Sequence, residues 1–159
     1  MTAGAWRTIR EALATKIDAS SGMATAGLRR ALAKVDEPLS MMPEARVLQP
    51  SYSFLSGTAN EEHYLLDIPV EIVCGIPAGR WRSNQEASDI ARAAQVESWD
   101  SVKLDVAISL LEVVDCRLLS ATDGLSEYDR DRDADGRPMY DGYRLLYQVQ
   151  VRESITRTA

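Results

Sequence analysis

The apolar positions of this chain follow two rhythms, and the change from one to the other divides it into elements. Trp6, Ile9, Leu13 and Ile17 recur at helical spacing, with Arg7, Arg10, Glu11 and Lys16 largely elsewhere, which predicts an amphipathic helix over 5–19. The polar run from Asp18 to Gly22 stops it, with Gly22 suited to the left-handed conformation that closes helices. Leu28, Ala31 and Leu32 share a face and predict a second, short helix over 24–34. Pro38 and Pro43 make 35–46 a loop or an irregular extended segment.

From Arg46 the period is two. Over 46–54, Leu48, Pro50, Tyr52 and Phe54 lie on one face, and Gln49, Ser51 and Ser53 on the other. A turn follows at 56–62. The clearest strand is 63–75, where Tyr64, Leu66, Ile68, Val70, Ile72 and Cys74 alternate with a face that carries His63, Asp67, Pro69 and Glu71. At about 3.3 Å per residue it extends roughly 43 Å, which predicts one end beyond the core. Pro69 has no N–H to donate, which predicts an edge or a bulge at that point.

The helical rhythm returns at 85–96 with Ala87, Ile90, Ala91 and Ala94, and Ser98 or Asp100 is placed to cap a further helix to about 114. A strand is predicted at 116–122, an extended acidic loop or hairpin tip at 123–142, and a closing strand at 143–152 with Tyr143, Leu145, Tyr147, Val149 and Val151 on one face. The fold class that follows is α+β: a single domain over 1–159, built on a mostly antiparallel four-stranded sheet with helices packed on one face. The other face, with Asp67, Glu71, Gln148, Gln150 and Arg152, is expected to be wet or to meet a partner.

Composition narrows the partners. The chain has 159 residues, 45% of them hydrophobic and 6% aromatic, enough for one core of mainly aliphatic side chains. A net charge of −6 argues against a general duplex-binding surface, though it would suit a protein past which DNA must slide without being held. Cys74 and Cys116 each sit in an apolar run and form no CxxC, so buried free thiols are expected and no zinc site. The N-terminal apolar stretch is interrupted by charge, which is unlike a signal peptide, and no window approaches the roughly 18 apolar residues of a membrane span; folding in a cytoplasm is the expectation.

Candidate chemistry is thin. Asp131, Asp133, Asp135 and Gly136 resemble the first half of a calcium loop, but Pro138 and Gly142 stand where an aliphatic residue and a bidentate glutamate belong, so no metal is expected. His63 lies on the polar face of its strand, opposite in direction to Cys74, and no nucleophile elbow or phosphate loop accompanies it; no catalytic residue and no cofactor are expected. Arg80, Trp81 and Arg82 combine the residue types that dominate protein contacts and are the candidate protein-contact site.

The ordered layout is an N-terminal amphipathic helix (AWRTIREALATKI), a Pro-containing extended segment (PEARVLQPSYSF), a long alternating strand (HYLLDIPVEIVCG), central helices, and a closing strand (GYRLLYQVQVRES). It resembles the tail terminator, or tail completion, proteins of long-tailed bacteriophages; related neck and head-completion proteins have a similar look. The resemblance covers nearly the whole chain and is one of pattern. It implies a non-enzymatic virion protein whose hexameric ring caps the tail tube, stops its polymerisation and joins it to a neck or head-completion protein, with DNA passing through unbound and no membrane involved. Two other classes are left open by the residues: a calcium-dependent interaction module, and a small enzyme whose site carries no recognisable motif.

Overall fold

The computed structural model describes residues 4–34, 36–76, 85–97, 104, 106, 110–128 and 132–155. The elements are α1 (Ala5–Asp18), α2 (Ser21–Thr25), β1 (Arg30–Leu32), β2 (Glu44–Val47), β3 (Ser51–Gly57), β4 (Glu61–Gly75), α3 (Gln85–Val96), β5 (Leu111–Asp123) and β6 (Tyr140–Ser154). The protein is α+β as expected, but the sheet is mixed and six-stranded rather than four-stranded: the order is β1-β2-β4-β6-β5, with β3 also paired to β4. Among the described residues only β1 and β2 run parallel; the other pairs are antiparallel.

The two strands with the strongest alternation pair along their whole length, from Glu61 opposite Ser154 to Gly75 opposite Tyr140. Leu66, Ile68, Val70 and Ile72 of β4, with Leu145, Tyr147, Val149 and Val151 of β6, are buried against α1 and α3 in one contiguous core. Each such side chain contributes about 1.5–3 kcal/mol when fully buried. Tyr143, at the end of the row, is only partly buried. The helices also contribute the faces that their spacing predicts: Ile9, Leu13 and Ile17 from α1, and Ala87, Ile90, Ala91 and Ala94 from α3.

Three expectations about single elements are corrected. The helix predicted over 24–34 does not form. Ser20 caps the short α2 by accepting from Met23 N–H at 3.2 Å, Gly27 turns the chain at φ 120°, and Arg30–Leu32 becomes a strand. The strand predicted over 46–54 is two strands. Pro50 falls in the break between β2 and β3, and the residues of β2 that enter the core are Ala45 and Val47, not Leu48. The helix predicted to run to about 114 gives way to β5, which begins at Leu111, while Leu104 and Val106 lie in no helix; most of 98–109 lies outside the described residues.

At Pro69 the strand β4, central elsewhere, has the local edge that the proline predicts. The Pro69 carbonyl accepts from Leu48 N–H at 2.9 Å, so its backbone faces the gap between β2, which pairs from Val70, and β3, which pairs up to Asp67. The missing N–H falls where the neighbouring edge is itself interrupted. Arg10 closes that gap from the helix side. Its guanidinium donates to the carbonyls of Leu48 (2.9 Å), Val47 (2.9 Å) and Ala33 (2.8 Å), and it is buried although helical spacing assigns it to the polar face. Gly142 is fixed by close approach: a Cβ there would stand 1.8 Å from the Ile72 carbonyl oxygen.

Candidate assembly surface

The sheet face away from the helices is divided. At the β2 end, loops cover it, and beneath them lies a buried polar layer. The Glu44 carboxylate accepts from Arg46 Nε at 2.7 Å and stands 2.9 Å from Arg30 Nε. Arg46 also donates to the carbonyls of Lys34, Glu37 (2.7 Å) and Pro38 (3.1 Å), strapping the loop before β2 onto the sheet. Burial acts to raise the Glu44 pKa, but the two arginines outweigh it and hold it below the ordinary carboxylate range. Glu71, directly opposite Arg46 in the sheet, accepts from the N–H groups of Ser126 and Glu127. There burial wins, and its pKa is raised. The expectation that Glu71 lies on a wet face is therefore corrected: Glu71 and Val73 are fully buried under the loop that follows β5.

At the other end, among the described residues, the same face is half-buried to exposed. Ser51 and Ser53 of β3, Asp67 of β4, and Gln148, Gln150 and Arg152 of β6 share it by register. Their contacts are surface ones: Gln148 Nε2 donates to Asp67 at 3.1 Å, Arg117 pairs with Asp115 at 2.8 Å, and Arg152 pairs with Glu112. His63 pairs with Glu61 at 2.8 Å, in keeping with an ordinary surface role. An open hollow of about 460 Å³ lies at this end, lined by Glu61, Leu110, Leu111, Glu112, Arg152 and Ser154.

Strand β3 is the least buried element. All of its residues are exposed, including Tyr52 (45%), Phe54 (57%) and Leu55 (46%). What holds it is the aromatic corner at the start of α1. The Trp6 ring stacks on Tyr52 with centroids 5.7 Å apart, and Tyr64 lies 5.4 Å from Tyr52. Trp6 Nε1 donates to the Tyr64 hydroxyl at 3.3 Å, Tyr64 donates to Glu153 at 2.8 Å, and Tyr52 donates to Glu62. Burial, then the Glu153 carboxylate, push the Tyr64 hydroxyl pKa well up.

The outer strands β3 and β5 are bulged, and the bulges carry apolar side chains. In β3 the register shifts at Leu55; in β5 it shifts at Val114 and again at Leu119. Val114 and Leu119 are exposed at 40% and 45%. A bulge turns its extra residue out of the alternation, which is why these side chains face solvent although β5 otherwise sends Val113 and Cys116 into the core.

Of the residues singled out from sequence, Arg80, Trp81 and Arg82 lie outside the described residues, as does Asp131. The Asp133 carboxylate accepts from the N–H groups of Asp135 and Arg137, each at 2.9 Å, and so serves its own turn. Among the described residues no cluster of His, Cys, Asp and Glu has the form of a metal site. Cys74 and Cys116 are free and buried, and burial pushes each thiol up to about 12. No helix of the described residues is long and apolar enough to cross a membrane. The exposed apolar residues of β3 are the part of this surface that spacing reasoning missed; it put Tyr52 and Phe54 on one face of a strand without placing that face in solvent. The chain matches no family model and no curated protein.

Proposed function

We propose that this chain is a non-enzymatic assembly protein, a phage tail terminator that forms a ring on the end of the tail tube, stops its growth and presents a surface to the neck. The observation that carries the reading is β3: a whole strand exposed on both its faces, with three large apolar side chains in solvent. The core does not require it, since that row of the sheet is already filled by Tyr64 and Leu66 of β4. A surface of this kind is kept for another protein. The overall layout supports the same reading through its resemblance to tail terminators. The acidic balance of −6 suits a ring whose bore lets DNA slide. On this reading the tail tube protein and a neck or head-completion protein are the partners, and the assembled protein resides in the virion.

The test is removal of this chain from the phage that encodes it. Tails of irregular, excessive length that fail to join heads are the expected result. Normal-length tails joined to heads would overturn the proposal. Filled heads that lose their DNA would assign the chain to head completion instead.

A further inference from the structure

We infer that copies of this chain join edge to edge, the β3 edge of one subunit pairing with the β5 edge of the next so that the sheet runs on across the junction. The inference rests on the ring reading and names the surfaces that close it.

Three observations place the two edges together. The first is chemical. β3 pairs only with β4, and β5 only with β6, among the described residues. Among the described residues no strand lies on the outer side of either, and a strand is the partner that satisfies the backbone N–H and C=O groups of such an edge. The β3 segment SYSFLSG carries no charge to repel one.

The second is direction. β3 is antiparallel to β4, β4 to β6, and β6 to β5, so β3 and β5 run in opposite directions. A second copy placed beside the first in the same orientation thus brings its β5 against β3 as an antiparallel pair. The two edges are different surfaces, as a head-to-tail contact needs.

The third is height. Following the register across the sheet, Ser53 is level with Leu65, Gln150 and Asp115, and Phe54 is level with Tyr64, Val151 and Val113. The bulge at Leu55 on one edge and the bulge at Val114 on the other are therefore within about one residue of the same level. Both place an apolar side chain in solvent. Continuing the sheet without shear sets Leu55 of one copy against Val114 of the next and leaves serines (Ser51, Ser53, Ser56) facing the charged row Arg117, Asp115 and Glu112. No like charges meet.

Cross-linking tests the junction. Ser53→Cys and Asp115→Cys are made singly and in one chain; Cys74 and Cys116 are buried and leave the introduced thiols to react alone. Each variant is oxidised under native conditions, both as the concentrated protein and with tail tubes. The double variant is expected to give a ladder of dimers and higher multimers, and an equimolar mixture of the two single variants a mixed dimer. Each single variant alone is expected to form no covalent dimer. Leu55→Asp and Val114→Asp should each weaken self-association at least tenfold without lowering the melting temperature of the monomer. Same-site dimers from a single variant would replace the head-to-tail junction with a two-fold one and overturn the inference. An oligomer of the unaltered chain that the double variant fails to cross-link would overturn the junction and leave the ring standing. A chain that is monomeric both alone and on tail tubes would overturn both.

Discussion

The two halves of the sheet's outer face share β4 and β6 and solve opposite problems. At the β2 end, Glu44, Arg46 and Glu71 are withdrawn from water and their charges are answered by one another and by loop backbone. At the β3 end, charged and polar side chains stay in water, and it is apolar ones, Leu55 and Val114, that lack cover. The first half spends its polar groups on fixing loops; the second leaves its edges open. Stability should therefore reside in one half and association in the other.

The largest effect is expected at Arg46. Replacing it with Met removes the strap to Lys34, Glu37 and Pro38 and leaves the Glu44 carboxylate buried beside Arg30 alone. A loss of about 3–5 kcal/mol in urea unfolding is the expectation. A loss below about 1 kcal/mol would show that the buried layer does not hold the loops.

Next comes Glu44→Gln, at about 2 kcal/mol at neutral pH, the scale of hydrogen bonds to a charged group. Because the folded pKa of Glu44 is depressed, its contribution is present above the ordinary carboxylate pKa and is lost as pH falls through the folded value. The variant should lack that acid-side loss in a series of melts from neutral to acid pH. Parallel curves for the two proteins would break the assignment.

Glu71→Gln is expected to stay within about 1 kcal/mol of the unaltered chain, because the amide oxygen can still accept from Ser126 and Glu127 N–H. Its pH dependence has the opposite sign. A raised folded pKa gives a contribution that is complete below the ordinary carboxylate value and declines as pH rises through the folded one. Relative to the unaltered chain, the variant should thus gain stability with rising pH. The opposite trend would place Glu71 with Glu44, and the contrast between the two carboxylates would fail.

The smallest change in stability is expected at Phe54→Ser, within about 0.5 kcal/mol, because the side chain is already in water. Sedimentation, not melting, should register this substitution, through weaker association. Strong destabilisation without a change in association would make β3 part of the core.

Much of this was legible in the chain itself. The alternation in β4 and β6 fixed their faces, because a one-residue slip would have exposed Leu66, Ile68 and Val149 together. The spacing of Ala87, Ile90 and Ala94 fixed α3 to its observed ends. What escaped were features set by partners far along the chain. Tyr52 and Phe54 have the period of a strand face, yet both are exposed, and among the described residues the rings against Tyr52 are those of Trp6 and Tyr64. Arg10 has the position of a surface residue, yet the break beside Pro50 leaves carbonyls that only a buried guanidinium reaches. The loop over Glu71 comes from residues more than fifty positions away. Bulges shift a strand's rhythm by one residue, and β5, with two of them, reads as a mixed pattern whose first part spacing mistook for helix. The proposed junction depends on those bulges, which is why it could not be found before the strands were in register.

The pairing of β4 with β6 also sets the order in which the molecule can be made. Tyr64 meets Glu153 across 89 positions of sequence, and Asp67 meets Gln148 across 81. During synthesis the β3–β4 hairpin emerges long before the strand that completes its sheet. Until β6 arrives, β4 has no neighbour on that side, and the row from Leu66 to Ile72 waits unroofed by its partner strand. Such distant pairings slow folding and prolong the interval in which strands of different chains can find each other. On the proposed junction, a subunit must therefore finish its own sheet before it joins another's, and β6 is the late strand on which that waits.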